Sequence, residues 1–363
     1  MARQRKRPQA TADKRLYDTL DVPFYRRRIA PLLPREILDF HTHVWKREHW
    51  KRLPWNTRAA GGRYMVTEAE YAIEDLEADG RRMFPERPYN AVCFGNPTPQ
   101  AVLAQSNAYA AQAGAHRGLF PLLVTGRGLM KPRDLRETIE RDGFFGYKVF
   151  LNWQGDDYGR VAIRDMIGPA EMRLADELGL VVLLHVPRAR RLADPTVQRG
   201  VRHLALRHPN ARIVLAHCGR CYLPSEMAEG IGAVADLENV YFDTAMVMDP
   251  AVIQIILREI DSRRLLFATD LPVAAMRGRR VGVMDHWVDV VGEGYPPSAY
   301  RVASDGIRAT FMVYEIILAI QLGADLSGIP PSRTRGIFCR NGMALLRHVR
   351  NGKAWAAARN RSG

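Results

Sequence analysis

Eight short apolar runs alternate with helical segments along this 363-residue chain, and five of those runs end in histidine, lysine or aspartate. The chain is also 47% hydrophobic, enough for a large core, and no Ser/Gly-rich linker or shift in composition divides its middle. Together these observations predict an α/β fold, a single (β/α)8 TIM barrel with a helical extension before strand one and long loops after strands one and eight. Active sites of such barrels lie at the carboxyl ends of the strands, where these polar residues fall.

Each element carries its own signal. Residues 14–34, with Pro31 and Pro34, read as an amphipathic helix and turn packing on the barrel floor. Strand one is Ile37-Leu38-Asp39-Phe40 leading to His41 and His43. Thr67-Glu68-Ala69-Glu70 reads as a capping box opening a helix that ends at Gly80. Strand two spans Tyr89 to Phe94, and Thr98-Pro99 caps a helix running to about Gly114. Strand three, Leu119 to Val124, precedes a helix from Pro132 to Arg141, and strand four holds Lys148 within Phe144 to Phe150. A helix from Pro169 to Leu178, stopped by Gly179, leads to strand five, Val181 to Leu184, and His185. The Pro195 to Arg207 helix separates it from strand six, Ile213 to Ala216, which ends at His217. Val240 to Thr244 forms strand seven, Asp249-Pro250 starts the next helix, and strand eight, Leu265 to Thr269, ends at Asp270. The connections 44–66, rich in Trp and Arg, and 271–304, rich in Gly and Pro, are long enough to read as parts of a substrate pocket.

The net charge of +14 has the size of a nucleic-acid-binding signal until it is located. Residues 1–36 carry ten Lys/Arg against four Asp/Glu, residues 333–363 carry eight against none, and the rest balances at 35 each. The excess therefore sits in solvated ends, giving a basic extension over 1–36, a barrel over 37–350 and a basic tail over 351–363. No specific nucleic-acid partner is expected. The amino end lacks the apolar segment of a secretory signal, and the longest apolar stretch, Ile307 to Leu322, is interrupted by Arg308, Glu315 and Gln321. The reading is a soluble, cytoplasmic protein with no membrane partner. Four cysteines in a chain of this length do not make a disulfide framework.

His41 and His43 alternate on one side of a strand, and Asp39 points the same way as a candidate to orient a histidine. A lone His-x-His pair is common. Lys148, His185, His217 and Asp270 at further strand ends turn it into a candidate metal centre, because a catalytic ion needs imidazole and carboxylate donors converging from several elements. Arg188 and Arg220 each follow a strand-end histidine by three residues and read either as a guanidinium clamp for a substrate carboxylate or as surface arginines. Arg63, Trp50 and Trp55 are candidates to line the pocket from the first long loop. Asp243 after Tyr241-Phe242 reads as a loop cap, with a place facing the pocket from strand seven as the alternative, and Cys218 and Cys221 read as incidental cysteines beside the site despite their Cys-x-x-Cys spacing.

Asp39-Phe40-His41-Thr42-His43, Gly146-Tyr147-Lys148-Val149, Leu184-His185-Val186, Ala216-His217-Cys218-Gly219, Arg264 to Pro272 and Ile337 to Leu346 resemble the amidohydrolase superfamily, and within it the amidohydrolase-related branch of hydrolases, lactonases and nonoxidative decarboxylases. The last segment departs from the common Asn-Ala pair with Asn341-Gly342. The resemblance implies that His41, His43, His185 and Asp270 bind a divalent ion such as Zn²⁺. His217 would bind a second ion or act as acid/base, with Asp270 and His217 as the catalytic pair. Lys148 would be either a carbamylated bridge between two ions or a charged substrate contact. It implies a metal-activated water acting on a small, carboxylate-bearing substrate in a hydrolase, with a carboxy-lyase as the alternative, and barrels that pair as homodimers. A TatD-like nuclease is disfavoured by Lys148 where that family carries glutamate. An inactive barrel serving as a binding protein is disfavoured because no ligand is missing.

Overall fold

The structure is a computed structural model and describes residues 14–51, 69–155, 157–292, 300–304 and 306–349. Eight strands form one sheet in sequence order: β1 (Ile37–His43), β2 (Tyr89–Phe94), β3 (Leu119–Val124), β4 (Gly146–Val149), β5 (Val181–Leu184), β6 (Arg212–Leu215), β7 (Val240–Asp243) and β8 (Leu265–Leu266). All neighbouring pairs are parallel. Such pairing needs a crossover between strands, and helices such as Pro132–Asp142, Pro169–Leu178, Pro195–Arg207 and Pro250–Glu259 supply it. The backbone beyond β8 closes the barrel onto β1: Phe40 N donates to Phe267 O at 2.9 Å, Asp270 N to His41 O at 2.9 Å, and His43 N to Leu271 O at 2.9 Å. The strands are nearly all buried, as a parallel sheet covered on both faces requires.

The expected strands match closely, and several helix boundaries do not. The helix expected to end at Gly80 runs Ile73–Met83, and Gly80 lies inside it. A Cβ there would sit 2.2 Å from Tyr89 Cδ1, so the glycine admits the Tyr89 ring and does not cap the helix. Thr67 and Glu68 lie outside the described residues, and the first turn is satisfied instead by Asp75, whose carboxylate accepts from Ala72 N at 2.9 Å. Thr98-Pro99 likewise precedes its helix, which spans Leu103–Gln112, because Thr98 is folded onto Asn96 Oδ1. Gly179 and Asp249 act as expected: Gly179 ends its helix in the left-handed region, and the Asp249 side chain accepts from Ala251 N.

Helical turns from Tyr17 to Leu32 make up the amino-terminal extension. Its contact with the amino ends of the strands runs through the turn before β2, where Tyr25 Oη donates to Pro85 O and Arg87 Nη2 to Ala30 O. It also climbs the barrel's side. Phe24 stacks on Tyr314 at 6.1 Å, and the buried Asp21 carboxylate takes a two-pronged ion pair from Arg277, beyond β8.

The 271–304 connection is not an irregular loop. It carries a second sheet of β9 (Gly278–Val283), β10 (His286–Val291) and β11 (Arg301–Ala303), in the order β11-β10-β9. The reason is visible afterwards in the alternation of Arg280, Gly282, Trp287 and Asp289 with Val281, Val283, Val288 and Val290, joined by a two-residue turn at Met284 and Asp285. Arg280 and Asp289 face each other across β9 and β10 as a buried ion pair of 2.8 Å.

Gly146 decides how close β4 lies to β5. A Cβ on it would fall 1.9 Å from Val181 O, so Gly146→Ala must prise apart the two strands that hold Lys148 and His185. A stability loss of about 2 kcal/mol is expected. Its measure is the urea midpoint, and an unchanged midpoint would show that the strand pair yields without cost.

Candidate metal centre

The carboxyl ends of β1, β4, β6, β7 and the segment after β8 bring His41, His43, Lys148, His217, Asp243 and Asp270 into one buried cluster. His43 Nε2 lies 3.0 Å and His41 Nε2 3.4 Å from Asp270 Oδ1. Lys148 Nζ stands 3.0 Å from His41 Nε2 and 4.7 Å from the centroid of the Phe94 ring. Lysine near a strand end often reaches solvent; this one is among the largest fully buried side chains.

Two compact donor groups emerge among the described residues, His41–His43–Asp270 and His41–His217–Asp243, each with its ligand atoms within 4.8 Å of one another. Asp243 is already engaged. Its Oδ1 accepts from His217 N at 2.7 Å and Ala245 N at 3.0 Å, and its Oδ2 faces His41 Nδ1 at 2.9 Å. The cap expected at Asp243 is therefore present, and the same carboxylate also orients His41, a role its place after Tyr241-Phe242 did not reveal. Asp39 does the converse. It was expected to orient a histidine ring, yet its carboxylate accepts from the backbone of His41 and Thr269, the Thr269 hydroxyl and the Tyr89 hydroxyl. It fastens the ends of β1 and β8 together.

The hydrogen bonds assign the imidazole protons. His41 Nδ1 faces a carboxylate and His217 Nδ1 faces Ala245 O at 3.0 Å, so each Nδ1 carries hydrogen and each Nε2 offers a lone pair. Burial lowers the pKa of His41, His43, His185 and His217, so neutral rings predominate near pH 7. Burial raises the Asp270 carboxyl, but the His43 hydrogen bond and the surrounding histidines outweigh it and hold it well below the ordinary carboxylate range. Burial brings Lys148 down to about 8, against the pull of Asp243 and Asp270. Neutral imidazoles with an ionised carboxylate form a donor set that suits a divalent ion. The buried Nδ1 atoms of His43 and His185, which have no hydrogen-bond partner among the described residues, fit the same reading.

His185 stands apart from both compact groups. Its ring packs 4.9 Å from His217 and 4.9 Å from Phe150, so the four expected ligands appear as a triad with His185 across His217. Backbone geometry explains part of this placement. His217, Cys218, Gly219 and Arg220 all have φ between 52° and 70°, a left-handed turn held by Asp243 and by Arg220 N donating to Ala216 O.

The arginines divide. Arg188 Nε and Nη2 donate to Val161 O and Arg160 O, and Nη1 lies 3.6 Å from Asp194, so its guanidinium braces a loop. Arg220 Nη1 donates to Val186 O and Arg188 O, beside the Tyr158 ring. Trp50 is buried and packs on Trp45, which itself contacts His43 at 6.0 Å, while Trp55 and Arg63 lie outside the described residues. All four cysteines are free and buried, and burial pushes the Cys221 thiol up to about 12, which fits incidental cysteines and not a redox pair.

An amidohydrolase family model matches residues 38–282, which hold the whole cluster. The chain belongs to the amidohydrolase family, in its amidohydrolase 2 branch. Solved structures agree with this amidohydrolase in fold. A 4-oxalomesaconate hydratase from Rhodopseudomonas palustris is 17% identical, with TM-score 0.54, covering 90% of this chain and 98% of its own. An amidohydrolase from Burkholderia multivorans with bound zinc is 15% identical, with TM-score 0.53, covering 85% and 98%. A 5-carboxyvanillate decarboxylase from Sphingomonas paucimobilis is 10% identical, with TM-score 0.50, covering 86% and 99%. No curated protein matches by sequence. Among the described residues of this amidohydrolase, no helix is long and apolar enough to cross a membrane.

Proposed function

We propose that this amidohydrolase is a metal-dependent hydrolase of a small, carboxylate-bearing molecule, with a divalent ion, Zn²⁺ first, held by His41, His43 and Asp270. His185 and His217 offer further donors on the same side. The observation that carries the reading is the compact His41–His43–Asp270 group, buried and bordered by a lysine. When bound, such an ion polarises a carbonyl and acidifies a water. The protein's own part is proton handling and placement. Asp270, ionised, takes the proton of the attacking water on a carboxylate oxygen and returns it to the leaving group. His41 is held in register by Asp243, and His217 keeps Nε2 available because Ala245 O fixes its tautomer.

A second reading, a nonoxidative decarboxylase, is favoured by Lys148. A buried ammonium 3.0 Å from His41 can hold a carboxylate, and His217 Nε2, after taking a proton from water, can pass it to the carbon from which carbon dioxide leaves. The decarboxylase of similar fold supports this second reading, while the hydratase speaks for neither.

Metal analysis of purified protein, followed by incubation with lactones, amides and aromatic or unsaturated acids, tests both. Near-stoichiometric zinc, and hydrolysis that stops on chelation and returns with zinc, is the expected result. Carbon dioxide release without hydrolysis would favour the second reading, and failure to bind any divalent metal would remove both.

A further inference from the structure

The turn after β6 and the inserted sheet meet beside the donor cluster, at Tyr222. This half-buried residue lies five positions after His217, and the two rings are 6.0 Å apart. It is held from several sides. Trp287 of β10 contacts it at 5.2 Å, and Arg280 of β9 places its guanidinium 4.5 Å from the Tyr222 ring and 3.8 Å from that of Trp287. Arg191 approaches the same ring at 5.3 Å. Glu226 fixes the backbone, accepting from Tyr222 N at 3.1 Å through one oxygen while the other pairs with Arg191.

The hydroxyl of this fixed side chain is uncommitted. Among the described residues it makes no hydrogen bond, and burial keeps it protonated as a donor against the opposing pull of Arg280, Arg220 and Arg191, with Asp270 adding to the shift. Two of those cations are already balanced, Arg280 by Asp289 and Arg191 by Glu226. Asp270 is turned to His41 and His43. Arg220 gives hydrogen bonds to two backbone carbonyls and has no carboxylate partner among the described residues. Val186, which carries one of those carbonyls, directly follows His185, whose ring packs 4.9 Å from His217, so Arg220 and Tyr222 flank the same pair of histidines. An unneutralised guanidinium and an unused phenol on one side of a metal-type donor cluster make a subsite for an anion.

We propose that the Tyr222 hydroxyl, together with the Arg220 guanidinium, binds the carboxylate of the substrate, and that Arg280, Trp287 and Glu226 are positioning residues that hold Tyr222 for this task. The inserted sheet thereby becomes a specificity element of the barrel. This rests on the metal-site reading above and adds to it a residue that does not contact the ion.

The test is calorimetric titration of the zinc-loaded full-length protein with benzoate and with its neutral isostere benzamide, zinc content being measured on the same samples. Wild type binds benzoate, and benzamide at least about tenfold more weakly. Tyr222→Phe keeps the ring and its packing, so it retains zinc and the melting temperature while benzoate binding weakens roughly tenfold, as loss of a hydrogen bond to a charged group requires. Benzamide binding stays as it was. Trp287→Ala weakens benzoate binding and Trp287→Phe restores it. Benzoate that binds zinc-loaded wild type no better than benzamide, or binds Tyr222→Phe as it binds wild type, overturns the assignment alone. Wild type that takes up no zinc removes the metal reading as well.

Discussion

Asp270→Asn is expected to fold with near wild-type stability and to lose stoichiometric zinc, with metal affinity down by roughly 10³-fold or more. That loss exceeds the 10–100-fold typical of a residue that only orients a ligand, since Asp270 is the one carboxylate of the compact triad. Asparagine is the informative replacement. Asp270 has φ 71°, a left-handed conformation that asparagine tolerates and alanine does not, so the variant removes charge without straining the turn. Hydrolytic turnover is expected to fall with the metal, and because the proposed mechanism also gives Asp270 the proton, saturating zinc is expected not to restore it. Metal content by atomic absorption and turnover at rising zinc are the two measurements. A variant that keeps stoichiometric zinc would move the ligand set toward His185 and His217.

Asp39→Ala is expected to cost about 4 kcal/mol of folding stability, the largest effect away from the ligands. Asp39 is fully buried and accepts four hydrogen bonds, from His41 N at 3.2 Å, Thr269 N at 3.0 Å, Thr269 Oγ1 at 2.5 Å and Tyr89 Oη at 2.8 Å. Each donor left unsatisfied in the interior costs about 1–3 kcal/mol. Asp39→Asn is expected to fall between, at about 2 kcal/mol, because its amide group turns a donor toward groups that also donate. Urea midpoints at a shared slope measure both. Zinc affinity falls with them, since Asp39 joins the strand that carries His41 to the one that leads to Asp270. An alanine variant as stable as wild type would mean that water or relaxation satisfies all four donors.

Much of the site was legible because parallel strands buried on both faces leave a strong local pattern. Val181–Leu184 and Leu119–Val124 are runs of apolar residues with sharp ends, and the first polar residue after such a run falls at the active face. Helix ends were harder to place. Gly80 has the chemistry of a helix stop, but a ring packed against it from β2 put it to another use, and that contact joins residues nine apart in sequence. The inserted sheet was missed because glycines and prolines outweighed the alternation of β9 and β10. Lys148 was undecided for a different reason: whether a strand-end lysine turns inward depends on what stands opposite, here His41 and the Phe94 ring.

Taken alone, the order of residues determined the barrel, its eight strands and the six side chains at their ends, since each follows from local periodicity and from the chemistry of the residue that closes a run. Only the tertiary structure decided what those side chains do to one another. It gave Asp243 to His41, Asp39 to the backbone and Arg188 to a loop, and it set the Tyr222 ring beside His217, because contacts depend on distance and direction between residues up to 230 positions apart in the chain.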